Sequence, residues 1–454
     1  MVKSNVNVII ISTKRNGHRR KISNFTPEKT FYNMTHSKLI IALLALATTL
    51  TACHSKFDQK AYDDLIYETY PIGEVDATHD WQLIEDGTVS ITANTTNTVT
   101  AVRILDANPL EGKAVVLAEC AAANGEQVTL SFTMPQLTET LYAAAVHDNG
   151  SYTVAPFAKG QQTVDFSGAT TTGYPTATNM TYPIYTYCYE ADYPLPGDYD
   201  YNDVVMRVQK LPGDNANEML LRVTLCAVGR EDVQMAGALH LVGLSNKDVM
   251  SVDIVKGKSL DTDLPVKRNL ITNSNTSFAG RNGDVVISLF EDAHWAMLHN
   301  KQTIDNVNYV MRSCINVDAT SRTLRMVTIT NTYRVTVADE SLLKNFTMSR
   351  LDPFIINQGH YEVHAFNHKT DYMIYEGKNV DKLVQSQTLS WAVVVPTGVF
   401  GWPIEGVHIG LKKNDVLSGA YRTLNHSFGE WVANKQTALD WYLYPSSRAV
   451  YYQQ

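Results

Sequence analysis

The chain reads as an all-β protein, a small N-terminal β-sandwich followed by one large β-rich domain. Three observations predict this class. Short Thr- and Val-rich runs alternate apolar and polar residues at a spacing of roughly ten positions, the pattern of half-buried strands. Turn-forming pairs separate them: Asn108-Pro109, Asn124-Gly125, Met134-Pro135 and Asn149-Gly150. There is no long helical period and no βαβ alternation, which argues against Rossmann and barrel enzymes. At 454 residues the chain has room for roughly two to four domains.

The elements follow in order. Residues 1–52 are set aside as a misassigned start plus a signal peptide. Met34, with His36 and Lys38, makes a compact polar lead-in to the apolar run Leu39–Leu50, which is too short to span a bilayer. That run ends in Leu50-Thr51-Ala52-Cys53, which resembles the lipobox of bacterial lipoproteins. The resemblance implies cleavage before Cys53 and acylation of its sulfur and new amino group. Residues 53–81 form a tether with a short amphipathic helix over Phe57–Tyr70, where Phe57, Ala61, Leu65 and Ile66 recur at helical spacing before Pro71 and Gly73. Asp76, His79 and Asp80 in the connector read as turn formers ahead of metal ligands.

Residues 82–166 make the small sandwich. Its strands are expected at Thr88–Ala93, Thr98–Leu105, Val115–Ala118, Val128–Met134, Leu141–His147 and Tyr152–Phe157. Residues 167–181, rich in Thr and Asn, read as a linker. Residues 182–454 are strand-dominated again. The strands expected here are Ile184–Tyr189, Val204–Lys210, Met219–Val228, Ala238–Leu244, Asp284–Phe290, Thr323–Val337, His360–Phe366, Leu389–Val395 and Gly406–Gly410, with one short helix near Ser427–Asn434.

Charge excludes one partner class. Without residues 1–52, 30 Lys/Arg face 45 Asp/Glu, a net of about −15. That balance argues against a nucleic-acid partner, which would need a basic face. Cys120, Cys188, Cys226 and Cys314 remain after Cys53; a Cys188–Cys226 bridge and four buried thiols are both compatible with an exported chain.

The segment richest in chemistry is Gly197-Asp198-Tyr199-Asp200-Tyr201-Asn202-Asp203. Oxygen-bearing side chains at alternating positions are what a hard cation such as Ca²⁺ requires. Asp203 stands where an EF-hand needs glycine, Gln209 where it needs the bidentate Glu, and the residues that follow read as strand. The expected site is therefore a Ca²⁺ loop outside the EF-hand class. Its side-chain ligands are Asp198, Asp200, Asn202 and Asp203; Tyr199 or Tyr201 adds a carbonyl, and Glu190 or Asp192 a further carboxylate. The competing reading is an Asx-rich turn capping its own backbone.

Tyr189-Glu190-Ala191-Asp192-Tyr193-Pro194 followed by Gly197–Val205 resembles the opening motif of the LruC-type domain of Gram-negative surface lipoproteins. Further stretches are similar to it in order: Asp284–His294, Asp352–Ile355 with Glu362–His364, Leu389–Pro396, Trp402–Val407, Phe428–Trp431 and Asp440–Pro445. The chain departs from the pattern in Glu190-Ala191-Asp192, where one carboxylate is displaced. The resemblance implies an exported, β-rich, outer-membrane lipoprotein held to the membrane at Cys53, with a Ca²⁺ site and no stated activity.

Other constellations are weaker. Glu362 and His364 share a strand face and, with His368, suggest zinc, but no third ligand can be chosen. Asp292 and His294 suggest a triad without a nucleophile elbow. Trp391, Trp402, Trp431 and Trp441 sit in apolar contexts that favour core packing over sugar stacking. The expected function is a non-enzymatic binding or adhesion module for a glycan or envelope protein. The alternatives are a glycan-active enzyme with a carbohydrate-binding accessory domain and a structural subunit of a surface assembly.

Overall fold

The computed structural model describes residues 73–168, 170–177, 179–193, 197–231, 233–255, 277–279, 283–298, 301–304, 307–310, 313–318, 328–357, 361–365 and 389–451. The signal-peptide run, Cys53, the helix expected over Phe57–Tyr70 and His368 lie outside the described residues.

The sequence alternation produces eight N-terminal strands: β1 (Ile84–Thr92), β2 (Val99–Leu105), β3 (Val116–Ala121), β4 (Gln127–Pro135), β5 (Thr140–His147), β6 (Tyr152–Ala158), β7 (Thr163–Asp165) and β8 (Thr171–Gly173). They form a three-stranded sheet, β4-β1-β7, and a five-stranded sheet, β3-β2-β5-β6-β8. On β1, Val89 and Ile91 turn inward onto Val102, Ile104, Leu130 and Phe132. Thr88 and Ser90 turn outward, where their hydroxyls meet those of Ser131 and Thr129 across the β1–β4 pair. That two-residue period gives one dry face and one wet face.

The longer C-terminal part contains β9 (Ile184–Tyr189), β10 (Val204–Pro212), β11 (Glu218–Ala227), β12 (Met235–Ser245), β13 (Val249–Ile254), β14 (Ser277–Ala279), β15 (Asp284–Phe290), β16 (Lys301–Ile304), β17 (Val307–Val310), β18 (Ile329–Val337), β19 (Leu351–Asn357), β20 (Tyr361–His364) and β21 (Ala392–Val395). Short pairs β22 (Trp402–Pro403) with β25 (Val450–Tyr451), and β23 (Arg422–Thr423) with β24 (His426–Ser427), lie in the C-terminal segment. The helices are brief: α1 (Ala293–Leu298), α2 (Ser341–Lys344) and α3 (Phe428–Ala433).

A six-stranded sheet, β13-β18-β11-β10-β9-β21, faces a five-stranded one, β14-β15-β12-β19-β20. Between them Tyr187, Met206, Val223 and Tyr333 meet Leu239, Val285, Ile287 and Ile355. Strand β18 keeps strict alternation of buried and half-buried residues. Strand β10 does not: Val204 to Gln209 are all buried. The cause is the C-terminal segment, which covers the other face of this sheet. There Cys188, Val205, Val393 and Val395 pack against Trp402, Tyr421, Phe428, Trp431 and Trp441. These three tryptophans are therefore core residues, and Trp391, the fourth, is buried as well.

The helix expected at Ser427–Asn434 forms as α3. Ser427 is its N-cap, with Glu430 closing a reciprocal capping box. The strand expected at Gly406–Gly410 does not form. Gly406 (φ 70°) begins a turn and Gly410 takes φ 155°, so both residues bend a chain whose apolar spacing looked extended. Helix α1 follows Asp292. Cys188 and Cys226 are free, buried thiols, and the bridge between them is absent. Asp76, His79 and Asp80 are turn and cap residues. Asp76 accepts from Thr78, His79 meets the Trp431 carbonyl, and Asp80 pairs with Lys435.

Candidate metal centre

Strands β9 and β10 pair with Tyr189 opposite Val204, so residues 190–203 form a long hairpin loop at one end of the six-stranded sheet. Glu190 and Asp203 stand at its neck. The loop folds back over them: the Tyr201 N–H donates to Glu190 Oε1 (2.5 Å), and the Ala191 N–H donates to Asp203 Oδ2 (2.6 Å).

Tyr199 (φ 55°) and Tyr201 (φ 54°) are both left-handed, a conformation unfavourable for a residue with a Cβ. Burial of both rings and two long-range bonds hold them there. The Ile409 N–H donates to the Tyr199 carbonyl (2.7 Å), and the Tyr201 hydroxyl donates to the Ser390 carbonyl (2.6 Å). With the tyrosines turned inward, the intervening acids converge.

Two groups of carboxylates result, each with its oxygens within 4.8 Å of one another: Glu190, Asp198 and Asp200, and Glu190, Asp192 and Asp203. Glu190 belongs to both. It is 0 % exposed, and its Oε2 has no hydrogen-bond partner. A Cβ on Gly197 would lie 2.1 Å from that oxygen, so only glycine lets the loop close over it. Asp200, 1 % exposed, accepts from the Asn202 N–H (3.1 Å), from Asn202 Nδ2 (2.7 Å) and from the Gly406 N–H (3.1 Å). Asn202 thus meets Asp200 as a donor, and its Oδ1 faces Gly229, where a Cβ would sit 1.7 Å away.

Counter-charge is scarce. Arg230 pairs with Asp192, and its backbone carbonyl accepts from His294 Nε2 (2.7 Å). His294 in turn lies beside Asp292, so this couple holds Arg230 in place. The electrostatic consequence is uniform. Burial and neighbouring carboxylates push Glu190 and Asp200 well above the ordinary carboxylate range. Burial and Asp192 raise Asp198. Burial raises Asp192 despite Arg230, and raises Asp203 to about 8. Glu405, reached by the loop after β22, is raised to about 7 by burial and by Asp198. Enclosing one carboxylate costs several kcal/mol unless its charge is met. Among the described residues six acids, of which Asp198 and Glu405 reach solvent, surround one guanidinium, and the site is short of positive charge.

Sequence reading named Glu190, Asp198, Asp200, Asn202, Asp203 and, as an option, Asp192. It did not name Gly229, Arg230 or Glu405, which arrive from distant segments. A Gly-Arg pair at the end of an apolar strand was the available signal for the first two. The Glu362–His364 pair binds inward: His364 Nδ1 lies 2.7 Å from Asp352 Oδ2, and Nε2 lies 3.0 Å from Glu362 Oε2. Both ring nitrogens are engaged, which leaves no lone pair for zinc.

Fold and site together define an all-β sandwich protein with a carboxylate-rich loop at one sheet end. The chain belongs to the family described as "Domain of unknown function (DUF4842)", whose profile matches residues 215–442. The matched span contains Gly229, Arg230 and Glu405, and the acidic loop lies just before it. The chain is also similar to a solved structure described as a "Putative lipoprotein from Bacteroides ovatus". The identity is 15%, the TM-score is 0.40, and the match covers 78% of this chain and 99% of that one. No curated protein matches at a significant level.

Proposed function

We propose that this is an exported, lipid-anchored binding protein of the cell envelope, without catalytic activity, whose 190–203 loop takes one Ca²⁺. Six acids that share a single guanidinium among the described residues are the observation that supports this reading most. The ion belongs with Glu190, Asp198 and Asp200, because Arg230 already serves the group containing Asp192 and Asp203. The unpartnered Glu190 Oε2 is the oxygen that gains most from it. Flexible carboxylates in an irregular loop suit Ca²⁺ better than the strict octahedron of Mg²⁺.

The bound ion would offset part of the loop's negative charge and fix its two strained tyrosines. Through Asp200 and the Tyr199 carbonyl it would also brace the 406–409 turn. The LruC-type resemblance of the same loop agrees with an outer-membrane lipoprotein whose cation supports a recognition surface for a glycan or envelope protein.

Thermal melting tests the site. Ca²⁺ at a hundred times its Kd stabilises by about 2.7 kcal/mol, which raises Tm on the order of 5 °C over the protein in chelator. Asp200→Ala should remove the rise. An unchanged curve in millimolar Ca²⁺, with Asp200→Ala responding like wild type, would end the proposal.

A further inference from the structure

We infer that the end of the large sandwich carrying the turns 411–417, 424 and 443–444 rests on an anionic phospholipid surface. Nine large apolar residues are exposed among the described residues, and five of them gather here: Val416, Leu417, Leu424, Leu443 and Tyr444. Leu417 is 85 % exposed. Hydrogen bonds gather them on one surface. Arg422 Nη1 donates to the Leu417 carbonyl (2.8 Å), Thr423 Oγ1 donates to the Tyr444 carbonyl (3.2 Å), and Leu424 forms the tip of the β23–β24 hairpin that both donors belong to. Large side chains on three adjacent turn tips have no core to join, and such clusters mark contact surfaces.

The charges beside them fit the same surface. Lys412 and Lys413 are exposed at the base of the 411–417 turn. The acids at this end are engaged in local hydrogen bonds: Asp415 accepts from the Leu417 and Ser418 N–H groups, and Asp440 meets His426 Nδ1 at 2.7 Å. A chain that is acidic overall therefore shows two adjacent lysines beside a cluster of apolar tips at this end, the pairing that binds anionic interfaces.

The path of the chain puts a lipid surface within reach of these turns. The described residues begin at Gly73, whose N–H donates to the Leu411 carbonyl (2.8 Å) and whose Cβ would lie 3.1 Å from Lys412 Cα. Nineteen residues separate Gly73 from Cys53, a reach of at most about 70 Å. This step rests on the proposed anchoring at Cys53: an acylated Cys53 keeps the bilayer within that reach, and the fold is entered beside Lys412. The short tether raises the local concentration of lipid at these turns, so weak docking suffices.

The test uses the full chain carrying Cys53→Ser, so that no acyl chain contributes, in EDTA, so that Ca²⁺ cannot bridge the acidic loop to lipid. Co-sedimentation with phosphatidylglycerol/phosphatidylethanolamine vesicles should exceed that with phosphatidylcholine vesicles. Leu417→Asp with Leu443→Asp, or Lys412→Glu with Lys413→Glu, should lower it at least tenfold. Met250→Asp, an exposed apolar residue on β13, should leave it unchanged. Circular dichroism of each variant confirms that the fold is retained. Equal binding by all variants, no binding to either vesicle, or binding only when Ca²⁺ is restored would overturn the inference. Acylation of wild-type Cys53, read by mass spectrometry, is independent of these outcomes.

Discussion

Two regions of the large sandwich bury clusters of acids, and they meet the cost in opposite ways. On the five-stranded sheet, Asp284, Asp352 and Glu362 share their space with His240 and His364. His240 Nε2 lies 3.1 Å from Asp284 Oδ2, and His364 sits between Asp352 and Glu362. Burial works against a charge on His364, yet Asp352 and Glu362 overcome it and raise its pKa to about 9. That region carries its own cation at neutral pH. At the end of the six-stranded sheet, Glu190, Asp192, Asp198, Asp200 and Asp203 have Arg230 as their one cation among the described residues. Counting acids in sequence does not separate the two regions; counting the cations folded against them does. A self-neutralised cluster is part of the scaffold, and a cluster left negative is a place for an ion.

The largest effect expected from this contrast is in the histidine cluster. His364→Ala leaves Asp352 and Glu362 buried without their cation, and breaking such a pair costs about 3–5 kcal/mol. Urea titration should show that loss with the Ca²⁺ response of the melting curve intact. A small loss would mean that the histidine is not charged.

Neutralising one acid should then act with opposite sign in the two places. In chelator, Asp200→Asn relieves repulsion and should raise stability by about 1 kcal/mol while abolishing the Ca²⁺ response, whereas Asp352→Asn should lower it. If both variants destabilise in chelator, the acidic loop has compensation that the contrast denies.

The dependence on pH separates the regions again. Asp203 and Glu405 have folded pKa values raised to about 8 and about 7, so the folded state holds their protons more tightly than the unfolded chain. Their contribution is complete below the ordinary carboxylate pKa and is lost as pH rises through about 8. Stability in chelator should therefore fall from pH 5 to pH 8, and saturating Ca²⁺ should flatten that slope as the metal replaces protons. His364 is likewise raised, so its contribution is lost only as pH rises through about 9, with or without Ca²⁺.

The smallest effect is expected at Asp192. Since Arg230 already meets it, Asp192→Asn should weaken Ca²⁺ by no more than about threefold, against tenfold or more for Asp198→Asn, by calorimetric titration. Equal losses would place the ion between the two carboxylate groups.

Much of the scaffold was legible because its signals are local. The Ile184–Tyr189 and Asp284–Phe290 strands and the short helix after Ser427 form where the sequence predicts them. Strand β10 was legible as a strand but not as a doubly covered one, since the covering tryptophans come some two hundred residues later. Gly406–Gly410 misled because apolar spacing cannot reveal a positive φ. At the site, the loop announced its own acids, while Arg230 and Glu405 reach it through tertiary packing and left no mark beside the motif.

The central claim is an ion among Glu190, Asp198 and Asp200. A crystal grown in millimolar Ca²⁺ tests it most directly. The account predicts an anomalous peak within about 2.3–2.6 Å of oxygens from all three residues, with Arg230 still on Asp192. Ordered acids with no peak between them, or Arg230 swung across to Asp200, would contradict it.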